Sequence, residues 1–397
     1  MNNLQRWLTC SGLALLCTIL LAQTAQITQT NQEATPATTT TSTPSVSAAT
    51  KGSIITIDGR MFVGIYQTGD DGPYPNRSLA IPDAKLRFTF KPSKDITIVN
   101  RFSNNNAASN GLDYFYIDFN NWAGPKSASI LRLGKMKIDV GEETWTDNPV
   151  ENILITASAA DVSGYDEGVD FRGRVPTVKR PLYYSFAVLN ASKGVSVSSD
   201  GLATATKVGY APNDNLYFSA SYYETGDLLQ PNGNLAETDL KIANMTAAPA
   251  GATDWQRRLW EVDARWGYGP TGIKPIIGAP PEPPFQVAAA YGQFRDTVTG
   301  PATDRDGSYW YVEGLYNATK KVYLASRYSE ITLNDDVTAT LNDSPVPVNS
   351  YTRLSLGIGY RLTQLTHIKA EYTINDADGG IREPELNQIA VGVATKF

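Results

Sequence analysis

The chain has 397 residues, 42% hydrophobic and 19% charged, with a formal net charge of −6; this excludes a disulfide-held miniprotein and a disordered chain. The acidic balance, with an isoelectric point near 5.1, argues against nucleic acid as the main partner. Beyond residue 22 no stretch reaches the roughly 18 consecutive apolar residues of a membrane helix, yet a mean hydropathy of −0.26 is also what a membrane β-barrel gives, because lipid-facing and water-facing residues alternate along its strands.

In chain order, the first predicted element is a secretory signal over 1–22. Arg6 supplies its charge, Trp7 to Leu21 its apolar stretch, and Ala22 and Ala25 the candidate cleavage sites. Both cysteines, Cys10 and Cys17, fall inside it, so the exported chain has no thiol, disulfide or thiolate metal site. Leu16 stands before Cys17 where a lipoprotein would have a small residue. Residues 23–50, almost entirely Thr, Ser, Ala, Gln and Pro, hold too little apolar content to order themselves and read as a flexible spacer.

From Lys51 to Phe397 the chain becomes a succession of roughly ten-residue alternating segments, each bounded by Gly, Pro, Asn or Asp. In Trp255 to Tyr268, Trp260, Val262, Ala264, Trp266 and Tyr268 share one parity, and Arg257, Glu261, Asp263 and Arg265 the other. A period of two places these sets on opposite faces. The pattern predicts sixteen strands, near 52–66, 81–90, 95–102, 111–120, 128–139, 167–175, 181–190, 201–210, 215–224, 256–268, 285–295, 308–318, 320–331, 351–362, 365–375 and 386–397. Short links such as 91–94 and 362–365 interleave with long ones at 140–166, 225–255 and 332–350, as turns on one rim and loops on the other do in a transmembrane barrel. The link from Gly267 to Pro284 is long where a short turn is expected. Aromatics at segment ends, Tyr66, Phe90, Trp122, Tyr210, Tyr268, Tyr316, Tyr328 and Phe397, suit interfacial girdles. A water-soluble β-sandwich also alternates, but with strands nearer five or six residues.

Three pieces resemble the bacterial outer-membrane porins, and most closely the phosphate-selective porin O and P type. They are the closing run Leu386 to Phe397 with its terminal phenylalanine, the run Leu131 to Lys137 followed by Val140-Gly-Glu-Glu143, and Asp166 to Gly173. The resemblance implies an all-β fold, a 16-stranded antiparallel transmembrane β-barrel with an inward-folded third loop. It also implies a homotrimer in the bacterial outer membrane, in contact with its lipid, and a terminal Phe397 read by the barrel-assembly machinery.

Carried through each segment, the water-facing parity holds Arg60, Lys85, Arg87, Arg101, Arg132, Arg172, Arg174, Lys207, Arg257, Arg265, Arg327, Arg353, Arg361 and Lys369. The inward acids Asp58, Asp118, Asp170, Glu261, Asp263, Glu313 and Glu371 are fewer. Between Lys137 and Arg172 there is no Lys or Arg, while Glu142, Glu143, Asp147, Glu151 and Asp161 all occur. This acidic strip, facing a basic wall, predicts a constriction with a field across its width. An arginine ladder can bind phosphate bidentately, but an acidic loop opposes the net positive ring that phosphate selectivity requires.

The one histidine, His367, reads as a rim residue; with no second histidine and no cysteine, neither a zinc site nor a Ser-His pair is expected. Asp304-Arg-Asp306-Gly and Asp376-Ala-Asp378-Gly open like calcium loops without the closing glutamate and read as turns. No phosphate-cradling glycine loop precedes a helix, and no cofactor or metal is expected. The function expected is a passive channel for small hydrophilic solutes and ions, with no catalysis. An anion- or phosphate-selective channel is the alternative, ahead of an outer-membrane lipase or a soluble secreted β-domain.

Overall fold

The computed structural model describes residues 46–50, 53–70, 74–104, 111–124, 128–175, 180, 182–191, 201–213, 215–229, 237–267, 284–300, 302–338, 347–378 and 387–397. The signal segment, most of the spacer, Tyr268 and the interior of the link at 268–283 lie outside them.

Alternation makes strands wherever it was expected. They are β1 Val46–Thr50, β2 Ser53–Thr68, β3 Ser78–Lys91, β4 Ile96–Ser103, β5 Gly111–Asn120, β6 Ile130–Lys137, β7 Val162–Val175, β8 Leu182–Leu189, β9 Ala203–Asn213, β10 Leu216–Thr225, β11 Leu240–Ile242, β12 Asp254–Trp266, β13 Phe285–Thr299, β14 Arg305–Asn317, β15 Val322–Thr338, β16 Pro347–Arg361, β17 Thr366–Asp378 and β18 Gln388–Lys396. Among the described residues, β2–β10 and β12–β18 pair antiparallel in sequence order. Pairing of β18 with β2, Gln388 opposite Thr68 and Lys396 opposite Arg60, joins the last strand to the first. The result is a closed sixteen-stranded barrel with no open edge among these strands.

Two short strands lie outside that ring. The end of the stretch expected as spacer, Val46–Thr50, pairs with the start of β2, and β11 pairs with residues 162–164 of β7. Because β7 begins at Val162, the third long connection runs over 138–161 rather than 140–166, and it carries one short 3-10 turn, Glu143–Thr146.

Burial follows the period of two. On β12 the outward Trp260, Val262 and Trp266 are exposed while Arg257, Glu261, Asp263 and Arg265 between them are buried. Outward rings meet in pairs, Trp260 with Tyr291, Trp266 with Phe285 and Trp310 with Tyr328. Trp122, Tyr210, Tyr316 and Phe397 are exposed as expected of girdle residues. Tyr66 is not: it shares the parity of Arg60, points inward and packs on Phe62 and Tyr74.

Candidate functional site

The inward faces of β2, β3, β4 and β6 carry Arg60, Lys85, Arg87, Arg101 and Arg132, and each is matched by a carboxylate. Arg60 binds Asp83 at 2.8 Å and Asp147 at 3.1 Å. Arg87 binds Asp58 at 2.9 Å, and Arg101 and Lys85 share Asp113 at 2.6 and 3.0 Å. Arg132 holds Asp118 through two parallel bonds of 2.7 and 2.9 Å. Two guanidiniums also lie over tyrosines, Arg132 3.7 Å from the Tyr116 ring centre and Arg101 4.2 Å from that of Tyr114, a desolvated cation–π geometry. The five cations, Asp58, Asp147 and the two tyrosines, with Lys137, Trp145, Glu151 and Lys396, line a cavity of about 420 Å³.

The connection 138–161 reaches the inward positions of many strands. At its entry Gly141 adopts φ +64°, in the left-handed region, and a Cβ there would collide with the Glu261 carboxylate. The Gly141 N–H donates to Ser221 Oγ, its carbonyl accepts from Lys207 at 2.7 Å, and the Glu142 N–H donates to Asp263. Further on, Ala159 N–H donates to Ser329 Oγ, Arg327 and Arg353 donate to the carbonyls of Thr156 and Ala157, and Glu371 accepts from Ile155 and Thr156. Lys369 donates to the carbonyls of Pro149, Asn152 and Leu154.

Every acid expected at the constriction has a basic partner. Glu142 meets Lys207 at 2.7 Å and Arg265 at 3.8 Å, Glu143 meets Arg327 at 3.4 Å, and Asp147 meets Arg60 and also Lys137 at 3.0 Å. Glu151 meets Lys396 at 3.1 Å, and Asp161 meets Lys241 at 2.6 Å. Burial pushes the Asp147 carboxyl up, but Arg60, Lys137 and Arg101 together hold it well below the usual carboxylate range. Asp139 is likewise pulled down by Lys207 and Arg172 against the cost of burial. Burial dominates at Glu143 and raises it, with Arg327 opposing and Asp161 reinforcing.

The remaining basic positions have different surroundings. Arg172 is buried on Asp170, with Asp139 at 3.6 Å. Arg257 is buried on Asp296, Arg353 binds Asn375, and Arg361 binds Asn317 and lies over Tyr323. Arg174 is exposed, 5.2 Å from the Tyr183 ring centre. The cavity itself is lined by Arg60, Lys85, Arg87, Arg101, Arg132, Lys137 and Lys396 with Asp58, Asp147 and Glu151, and Asp83, Asp113 and Asp118 beside it pair with Arg60, Lys85, Arg101 and Arg132. Asp83 shares the parity of Lys85 and Arg87 and was readable in that way. Asp113 was not, because it sits at a register shift between β4 and β5 that turns an outward position inward.

His367 lies at the rim, the second residue of β17 beside the 362–365 turn, but it is not on the surface. It is 6% exposed, faces inward and meets the Tyr323 ring edge-on. Asp304 accepts from both Arg295 and the Val298 N–H in the turn expected there, whereas Asp306 lies in β14 and Asp376 and Asp378 in β17, strands where turns were expected. Phe397 continues the β18–β2 pairing through reciprocal backbone bonds of 3.0 Å with Gly59, its ring exposed.

No family model matches the chain, and no curated protein matches it in sequence. Solved structures do match in fold. The outer membrane channel DcaP of Acinetobacter baumannii superposes with a TM-score of 0.58 at 11% identity, over 88% of this chain and 99% of that one. An anion-selective porin from Comamonas acidovorans gives 0.56 at 11%, over 87% and 100%. The trimer form of OmpT, an outer membrane protein of Vibrio cholerae, gives 0.55 at 10%, over 87% and 99%. At such identities the likeness establishes the barrel fold.

Proposed function

We propose that the chain is a porin of the bacterial outer membrane, a channel through which small hydrophilic solutes and ions diffuse down their gradients. One observation carries the reading: a closed barrel whose exposed outward residues include many large apolar side chains with Tyr and Trp among them, and whose inward positions hold the paired cations and carboxylates. Charged side chains facing hydrocarbon at mid-depth would cost about 2–4 kcal/mol each, so this two-faced distribution suits a wall between lipid and water. The connection 138–161 serves as the internal constriction; its bonds to inward side chains of β2, β10, β12 and β15–β17 support that role. In this reading three copies associate, lipid covers the girdles, and Phe397 is the signal for barrel assembly. No reaction is catalysed.

Pairing of the cavity's cations with carboxylates favours weak ion selectivity. The second reading, an anion-selective channel, draws on the density of guanidiniums there and on the anion-selective porin among the structural neighbours. Purified protein in a planar bilayer tests both. Stepwise conductance with a reversal potential near zero under a potassium chloride gradient supports the general channel. A strong anion potential with phosphate block of chloride current supports the second reading, and a flat baseline overturns both.

A further inference from the structure

Inward positions around the barrel are not equally wet. On β12 and β15–β17 the inward Arg257, Arg265, Arg327, Ser329, Ser355 and Lys369 are each at most 2% exposed. On β3, by contrast, the Arg87 side chain is 38% exposed, and the cavity of about 420 Å³ is lined by β2–β6 and the end of β18. A ring of sixteen strands is wide enough to leave an aqueous channel, so something fills the dry arc.

Two connections do so. The first is 138–161, described above. The second is 237–253, between β10 and β12. Its strand β11 pairs with the start of β7, outside the barrel ladder. Leu240, Ile242 and Ala243 are fully buried in one apolar cluster with Tyr223, Leu259, Phe294, Tyr309, Ile331 and Tyr351, all at inward positions of β10 and β12–β16.

A polar clamp holds it there. Arg257 Nη1 donates to the carbonyls of Leu240 and Met245, 2.7 Å each, while Nε and Nη2 bind Asp296 at 2.8 and 2.9 Å. Arg305 closes on the same Asp296 at 2.6 Å and donates to the Ala247 carbonyl at 2.9 Å. Lys241 joins the second connection to the first through Asp161. A guanidinium and a carboxylate at 0% exposure persist only where such partners satisfy both.

We propose that 237–253 is a second internal plug, clamped by Arg257, Asp296 and Arg305, and that solutes therefore cross only along an off-centre passage on the β2–β6 arc. Asp58, Arg87, Arg101 and Trp145 line that passage. Arg257, Arg265 and Arg327 are then structural cations that solutes never meet. This inference rests on the channel reading.

Thiol accessibility tests it. With Cys10 and Cys17 changed to serine, single cysteines replace Arg87 on the open arc and Leu259, buried in one cluster with Leu240 and Ile242, on the filled arc of the full chain, and a cationic methanethiosulfonate is added to the bilayer. The expected result is a current step at Arg87→Cys, with modification of Leu259→Cys at least a hundredfold slower and without effect on current. Adding Asp296→Asn to Leu259→Cys is expected to restore reactivity and raise conductance. Equal reactivity on both arcs of a conducting protein overturns the plug and leaves the channel reading standing. A flat baseline for the unsubstituted chain removes the channel reading and this inference with it.

Discussion

At the scale of single residues, the problem this chain solves is how to keep many cations inside a barrel without a net field that repels one ion class. Arg132 shows the solution: a bidentate carboxylate on one edge and the face of Tyr116 beneath. Arg132→Ala leaves Asp118 buried and unpaired, and removing one partner of a buried pair costs about 3–5 kcal/mol; the urea midpoint of the detergent-folded protein is expected to fall accordingly. Asp147 carries the pH dependence of the constriction, facing Arg60 of β2, Lys137 of β6, Arg101 of β4 and the Tyr165 hydroxyl of β7. Its folded pKa lies below the unfolded value of about 3.9, so its stabilisation is complete above that value and is lost as pH falls through the folded one. Glu143 is shifted the other way, so its contribution is present below its unfolded value and is lost as pH rises through the folded one. Acidification from pH 7 to about 4.5 is thus expected to leave the 138–161 connection docked, with release only at lower pH. Trp145 emission, read across that titration, checks this, and a red shift already at pH 5 would contradict it.

Among elements, the connection 138–161 differs from an ordinary surface loop because its backbone groups bond to barrel side chains rather than to water. Lys369 alone serves three of its carbonyls. Hydrogen bonds to a charged group contribute about 1.5–3 kcal/mol, so Lys369→Met is expected to loosen this stretch by that order. Noisier and larger single-channel currents would report it, with the barrel's own unfolding little changed. The strands make the complementary point. In β12 one residue step separates Val262, exposed on the outer wall, from Asp263, buried on the inner one. Val262→Arg is expected to cost about 2–4 kcal/mol when folding into lipid vesicles; an equal midpoint for variant and parent would argue that this face does not meet hydrocarbon.

For the whole molecule, the number of cations matters less than their pairing. Asp113 pairs with both Lys85 and Arg101. Asp113→Asn is therefore expected to leave about one uncompensated charge at the cavity and to move the reversal potential toward anions. An unmoved potential would place the ion path elsewhere.

Alternation with a period of two was enough to give all sixteen barrel strands, their antiparallel order, the outward Trp260 and Trp266 and the inward arginines, because facing is a local property that each residue's parity decides. Three things lay beyond that reach. Asp113 turns inward only through a bulge, whose position depends on the neighbouring strand. The start of β7 at Val162 depends on β11, a partner some 80 residues away in the chain. The burial of Arg257 and His367 depends on which connections fold back into the barrel. Parity decides whether a side chain faces lipid or lumen, but whether that lumen position holds water or packed backbone is settled only when distant segments meet.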